Sequence, residues 1–142
     1  MIQRKIDNYL ADFYVKHKNA LLVTGARQIG KTSSIREFGR THFKHFVEIN
    51  FLESPAAKSV FEGADSSNIL LRLSAYAETK LVKGETLIFL DEIQECPDAV
   101  TAIKFLVEDG SYRYILSGSL LGVELKDIRS LPVGFLTIKE MF

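Results

Sequence analysis

One stretch of eight residues limits this chain more than any other: Gly25-Ala26-Arg27-Gln28-Ile29-Gly30-Lys31-Thr32. An apolar run, Ala20-Leu21-Leu22-Val23, leads into it, and a helical stretch from Ser33 to Phe38 leads out. This is G-x-x-x-x-G-K-[ST] in the setting that gives the pattern meaning: buried strand, glycine loop, helix. Glycine lets the backbone curl until successive N–H groups converge, which a Cβ would obstruct. The helix that follows adds its unpaired N–H groups and the positive end of its dipole. Such a hollow takes a polyphosphate, with Gly25 through Ser33 as its expected cradle. Lys31 is expected to reach the β- and γ-phosphates, and the Thr32 hydroxyl to ligate Mg²⁺. The side chains of Arg27 and Gln28 are expected to point outward.

A second constellation is Leu87-Ile88-Phe89-Leu90-Asp91-Glu92, an apolar strand ending in two carboxylates. In a parallel sheet beside the first strand, Asp91 emerges next to the glycine loop and can complete the metal shell that Thr32 begins. Glu92 can point the other way, toward the γ-phosphate, where it accepts a proton from an attacking water or orients it. Read alone, the pair is two solvated acids at a strand end; joined to the loop, it is the metal-side partner that a Walker A site requires. The acid next to the Walker B aspartate marks NTPases that carry their own water-polarising residue. Asp91-Glu92-Ile93-Gln94 lacks the glycine of a GTPase Asp-x-x-Gly, and no Asn-Lys-x-Asp occurs in the chain, so ATP is preferred over GTP. A third element is Tyr114-Ile115-Leu116-Ser117-Gly118-Ser119. A polar residue at this strand end lies between the two Walker elements, so Ser117 can bond the γ-phosphate or the water. Ser119 is an alternative for that role, and a serine simply turning the chain is the plain reading.

Periodicity organises the rest. Ile2, Ile6, Tyr9, Leu10 and Phe13 predict an amphipathic helix over 2–16. Strands are expected at 20–24, 45–51, 86–90, 112–116 and 134–138. Helices are expected from the loop to Phe38 with Gly39 as a left-handed cap, from Pro55 to Phe61 behind Ser54, from the Asp65 capping cluster through Leu81, and from Pro97 to Gly110. Residues 117–132 read as mixed loop and short helix. Strands alternating with helices predict an α/β fold, a mostly parallel five-stranded sheet with helices on both faces, and ligands at the carboxyl ends of its strands.

Composition adds bounds. A chain of 142 residues suffices for one domain with a sizeable core, and 46% hydrophobic with 25% charged residues is ordinary for a globular protein. Eighteen basic and eighteen acidic residues cancel, so no global basic field supports nucleic-acid binding. One cysteine excludes an intrachain disulfide and fits a reducing cytoplasm, and no apolar run reaches membrane-spanning length. His42 and His45 are three apart but straddle a helix-to-strand junction with no third ligand nearby, and Cys96 before Pro97 reads as a small helix-start residue.

With these elements placed, the chain resembles AAA family fourteen, prokaryotic AAA+-type ATPases whose core precedes a C-terminal domain. The likeness rests on Leu22 through Thr32, on Phe89-Leu90-Asp91-Glu92-Ile93-Gln94-Glu95 and on Ile115-Leu116-Ser117-Gly118-Ser119; Val107-Glu108-Asp109-Gly110 and Leu131-Pro132-Val133-Gly134 also look familial. The resemblance implies the three-layer P-loop NTPase fold of the AAA+/ASCE type, with a strand inserted between the Walker A and Walker B strands. It implies the roles already given to Lys31, Thr32, Asp91 and Glu92, and a sensor role for Ser117, where threonine is common in the family. Many members carry an arginine in the segment that here reads Leu131-Pro132-Val133-Gly134-Phe135; Arg129 is the nearest basic residue. By analogy Ile6 or Tyr9 contacts adenine, although the stripe of 2–16 reads first as core packing. The resemblance also implies that residues 1–142 form a single ATPase core, excised from its lid and C-terminal domain and therefore weak in turnover. The expected function is Mg²⁺-dependent ATP hydrolysis coupled to a protein or nucleic-acid partner through missing domains, with a homo-oligomer as one form of the whole protein. Two alternatives stay open: a nucleotide-dependent, DNA-associated binding module, and a small-molecule kinase.

Overall fold

Apolar segments of five or six residues are too short to bury a helix face, and they are rich in Leu, Ile, Val and Phe; side by side they form a sheet. The computed structural model describes residues 2–25, 30–63, 65–118 and 134–141. In chain order the elements are α1 (Ile2–Lys16), β1 (Ala20–Gly25), α2 (Lys31–His42), β2 (His45–Asn50), a 3-10 helix (Pro55–Phe61), α3 (Ser66–Tyr76), β3 (Thr86–Asp91), a 3-10 turn (Ile93–Glu95), α4 (Pro97–Asp109), β4 (Arg113–Gly118) and β5 (Leu136–Met141). Among the described residues the five strands make one sheet in the order β2-β3-β4-β1-β5, and every neighbouring pair is parallel.

Strand periodicity divides the core into two layers. Leu21, Val23, Leu87, Phe89 and Ile115 face one side, where Ile6, Leu10 and Phe13 of α1 and Ile35 and Phe38 of α2 cover them. Ala20, Leu22, Ile88, Leu90 and Leu116 face the other, under α3, α4 and the 3-10 helix. All six residues of β3 are buried, as expected of a strand covered on both faces. Each Leu, Ile or Phe buried this way contributes roughly 1.5–3 kcal/mol over exposure. Three of the strands that carry the site, β1, β3 and β4, are thus anchored in the buried core. The three-layer α/β reading holds, and so does the amphipathic helix over 2–16, whose Ile6 is a core residue rather than a ligand-facing one.

Several details differ from the sequence reading. β3 is not directly beside β1, as the acid-pair reading had it; β4 lies between them, pairing with both, which is the inserted strand that the family resemblance implied. Gly39 does not cap α2; the helix continues to His42, and Gly39 is buried inside it. A Cβ at Gly39 would stand 2.2 Å from Cδ1 of Phe46, so the glycine serves close approach of helix to strand. α2 also starts at Lys31 rather than Ser33, because Gly30 supplies the turn into it. α3 stops at Tyr76, short of Leu81, with Ala77 extended; Ala77 and Leu81 still pack on the core. Pro55–Phe61 is a 3-10 helix, and Ser54 contributes its carbonyl rather than its side chain, accepting from the Ala57 N–H at 3.0 Å. β4 runs on to Gly118, which brings Ser117 inside the strand, and β5 begins two residues later than Gly134. His42 turns its Nδ1 to the Phe38 carbonyl, 3.1 Å away, and stacks its ring on Phe38. Cys96 is buried at the start of α4, and burial pushes its thiol up, away from nucleophile chemistry. No helix among the described residues is long and apolar enough to cross a membrane.

Candidate functional site

Parallel strands end together, so the carboxyl ends of β1, β4, β3 and β2 form one rim. Leu90 pairs with Leu116, and Asp91 and Ser117 each come one residue later. Alternation then turns both toward the face of Phe89 and Ile115, the face that α2 covers. Asn50 pairs with Asp91, and Glu48 with Phe89, which puts Glu48 and Asn50 on that face too. On α2, Thr32 and Arg36 are four apart and share one side of the helix. Periods of two and 3.6 thus gather residues from four elements at one place.

The loop enters from β1 at Gly25, φ 144°, and leaves through Gly30, φ 75°, both conformations that a side chain resists. Gly30 precedes α2, and its carbonyl accepts from the Ser34 N–H at 3.0 Å. Ala26, Arg27, Gln28 and Ile29 lie outside the described residues, as do Ser119, Arg129 and Leu131, Pro132 and Val133. Lys31 is only 5% exposed, and its ammonium donates to the carbonyls of Gly25 at 3.1 Å and Gly118 at 2.7 Å. The lysine thereby joins the ends of β1 and β4. Ser33 lies exposed on the first turn of α2.

Across the rim, the Thr32 hydroxyl donates to Oδ2 of Asp91 at 3.4 Å. The other Asp91 oxygen accepts from the Glu92 N–H at 2.8 Å. Burial raises the Asp91 carboxyl above its ordinary range, with the Glu92 and Glu48 charges adding to the rise, while the Glu92 N–H and Lys31 act against it. A buried carboxylate beside a hydroxyl is a site that gains from a cation. The chain then reverses at Glu92, φ 53°, which is the single non-glycine residue at positive φ among those described. This lets Asp91 face α2 while Ile93 is buried in the opposite core layer. Ser117 is fully buried, and its hydroxyl has no hydrogen-bond partner among the described residues.

Lys31, Thr32, Arg36, Asn50, Glu53, Asp91 and Glu92 line a cleft of about 240 Å³. The sequence reading missed Arg36, Asn50 and Glu53. Arg36 holds Glu48 with two bonds of 2.6 Å, a fork that ties α2 to β2 at the cleft edge. Asn50 Oδ1 accepts from the N–H groups of Leu52 and Glu53 at 2.9 and 3.1 Å, and the Phe51 N–H donates to the Asp91 carbonyl. Arg36 was within reach of helix spacing from Thr32. Asn50 and Glu53 required knowing that β2 pairs with β3.

The residues present suit a magnesium nucleotide. Mg²⁺ is held by one or two protein oxygens plus phosphates and water, which is what Thr32 and Asp91 offer; no cluster of three or more His, Cys, Asp or Glu ligands occurs among the described residues.

Comparison with known proteins agrees with this frame. A family model described as an AAA domain matches residues 17–142. No curated protein matches the chain. Among solved structures, a Drosophila ORC bound to DNA superposes with a TM-score of 0.54 at 15% identity, over 86% of this chain and 37% of that one. PCH-2 of C. elegans gives a TM-score of 0.49 at 13% identity, over 99% of this chain and 39% of that one. The chain therefore spans well under half the length of these neighbours. A match over nearly the whole length, on a parallel α/β sheet with the glycine loop at its carboxyl rim, makes this chain a member of AAA family fourteen, with a nucleotide-binding, ATPase-type core.

Proposed function

We propose that this core binds ATP with Mg²⁺ and hydrolyses it at the β–γ bond, driving a partner engaged by other parts of the protein. The observation that carries the reading is the meeting of Thr32 and Asp91 at 3.4 Å beside Lys31, three residues that a chance glycine turn has no reason to assemble. Backbone N–H groups from Gly25 to Ser33 cradle the phosphates, and Lys31 exchanges its two carbonyl partners for phosphate oxygens. Thr32 and Asp91 would hold the metal, which would supply positive charge to the phosphates. Glu92 takes a proton from water as the water oxygen bonds to the γ-phosphorus. The bond from that phosphorus to the bridging oxygen breaks, releasing ADP and phosphate. Ser117, a buried hydroxyl between the Walker strands, bonds the γ-phosphate or the water.

The test separates binding from turnover. Lys31→Ala abolishes ATP binding, whereas Glu92→Gln binds ATP and suppresses hydrolysis. ATP bound as tightly by Lys31→Ala as by the parent overturns the assignment. Phosphate appearing on an added small acceptor rather than in solution favours the kinase reading, and salt-sensitive DNA retention favours a DNA-associated module.

A further inference from the structure

Glu92 sits in a turn that leaves little to chance. Its N–H is bonded to Asp91 Oδ1, its carbonyl accepts from the Glu95 N–H at 3.0 Å, and its backbone is in the left-handed region. A non-glycine residue stays in that region only where its surroundings impose it. The backbone is thus set, but a glutamate side chain still has three torsions to settle.

Gln94 addresses those torsions. Its Nε2 donates to Oε1 of Glu92 at 2.9 Å. Its own Oε1 is buried and has no partner among the described residues. A carboxylate only accepts hydrogen bonds, so the N–H end of the amide must face Glu92, and the carbonyl end is turned inward with no donor among the described residues. A merely space-filling residue would not leave a buried carbonyl unpaired, since an apolar side chain of similar size would fill the volume without that cost.

We infer that Gln94 is a positioning residue for Glu92: its amide fixes the carboxylate in the orientation from which it takes a proton from the attacking water. The inference rests on the proposed hydrolysis. It assigns to Gln94 an effect on the chemical step and none on nucleotide affinity.

The experiment uses the chain as it stands, under single-turnover conditions with protein in excess over ATP, so that slow product release does not mask chemistry. Gln94→Met keeps length and volume, and Gln94→Leu is the second variant should the first misfold. The expected result is a single-turnover rate lowered by about tenfold or more with ATP affinity kept within about twofold. Combined with Glu92→Gln, the Gln94 change costs nothing further, because it acts through the same group. An unchanged rate, a matching loss of affinity, or full additivity with Glu92→Gln overturns the inference.

A readout without nucleotide runs beside these. The chain has three glutamines, Gln3, Gln28 and Gln94, so the Gln94 side-chain amide is identified in an NMR spectrum by its loss in Gln94→Met. Its protons shift and exchange faster with water in Glu92→Ala. An amide signal indifferent to Glu92→Ala overturns the pairing itself. A parent chain that shows the amide coupling but binds no ATP overturns the proposed hydrolysis, and with it the role of Gln94, while leaving the pairing in place.

Discussion

The hydroxyl of Thr32 and the carboxylate of Asp91, 59 residues apart in sequence, approach to 3.4 Å on one rim of a parallel sheet. Each residue is placed by a different part of the chain. Thr32 is the second residue of α2, set by the glycine turn at Gly30, and Asp91 is the last residue of β3, set by pairing with β2 and β4. Their meeting follows from the sheet order, in which β4 lies between β1 and β3.

Thr32→Ala removes an oxygen from this meeting and leaves the phosphate-facing backbone intact. The tightening of ATP binding by Mg²⁺, measured by calorimetry with and without EDTA, is expected to shrink by about tenfold, or about 1.4 kcal/mol. Affinity in EDTA stays within about twofold of the parent. Serine at this position restores the metal effect.

Asp91 costs the empty fold stability, because burial opposes its ionised form. At neutral pH the unfolded chain carries this charge freely in water, whereas the folded chain must hold it desolvated. Asp91→Asn is therefore expected to raise the stability of the nucleotide-free chain by on the order of 1 kcal/mol, read by urea denaturation. The same variant loses stabilisation by Mg²⁺ and ATP together. A less stable variant without nucleotide contradicts the burial argument.

Gly39→Ala sets two effects against each other. Alanine favours a helix interior by roughly 0.5–1 kcal/mol, but its Cβ would fall 2.2 Å from the Phe46 ring. Overpacking of this kind costs typically about 1–3 kcal/mol, so the clash wins and Gly39→Ala destabilises. In a Phe46→Ala background the sign reverses, and Gly39→Ala stabilises. Denaturation midpoints of the four proteins form the test.

Tyr14 ties α1 to the sheet. Its hydroxyl donates to the Tyr114 carbonyl at 2.5 Å, and Arg113 lies 4.7 Å over its ring while donating to the carbonyls of Tyr14 and His17. Tyr14→Phe is expected to cost about 1–2 kcal/mol. Burial raises the Tyr14 and Tyr114 hydroxyls well above their ordinary value of 10.0, so both stay neutral when the unfolded chain ionises. The unfolded state then binds fewer protons than the native state, and stability falls as pH climbs above about 10. Below that value the contribution is fully present. Each such tyrosine adds a slope of about 1.4 kcal/mol per pH unit, and Tyr14→Phe removes one share of it.

What was legible in the sequence was local. Glycine spacing, the apolar run before it and the acid pair at the end of β3 each follow from a few neighbouring residues. Elements failed where tertiary contact decided. Gly39 reads as a helix stop until Phe46 is seen against it. Leu81 continues the apolar stripe of α3, yet it packs on the core from beyond the helix end. Asn50 and Glu53 join the cleft only because β2 pairs with β3 in one register. The order of β1, β4 and β3 did not follow from proximity in the chain, since parallel strands joined by helices need not neighbour their predecessors.

The central claim is that the glycine loop and the acid pair hold one metal-bound triphosphate between them. Mn²⁺ in place of Mg²⁺ tests it, because the paramagnetic ion broadens NMR signals close to it. With ATP and Mn²⁺ added, the amide signals of Lys31, Thr32, Asp91 and Glu92 are expected to broaden together while those of α1 stay sharp, and Lys31→Ala should abolish the effect. Broadening centred away from these four residues, or undiminished in Lys31→Ala, contradicts the claim.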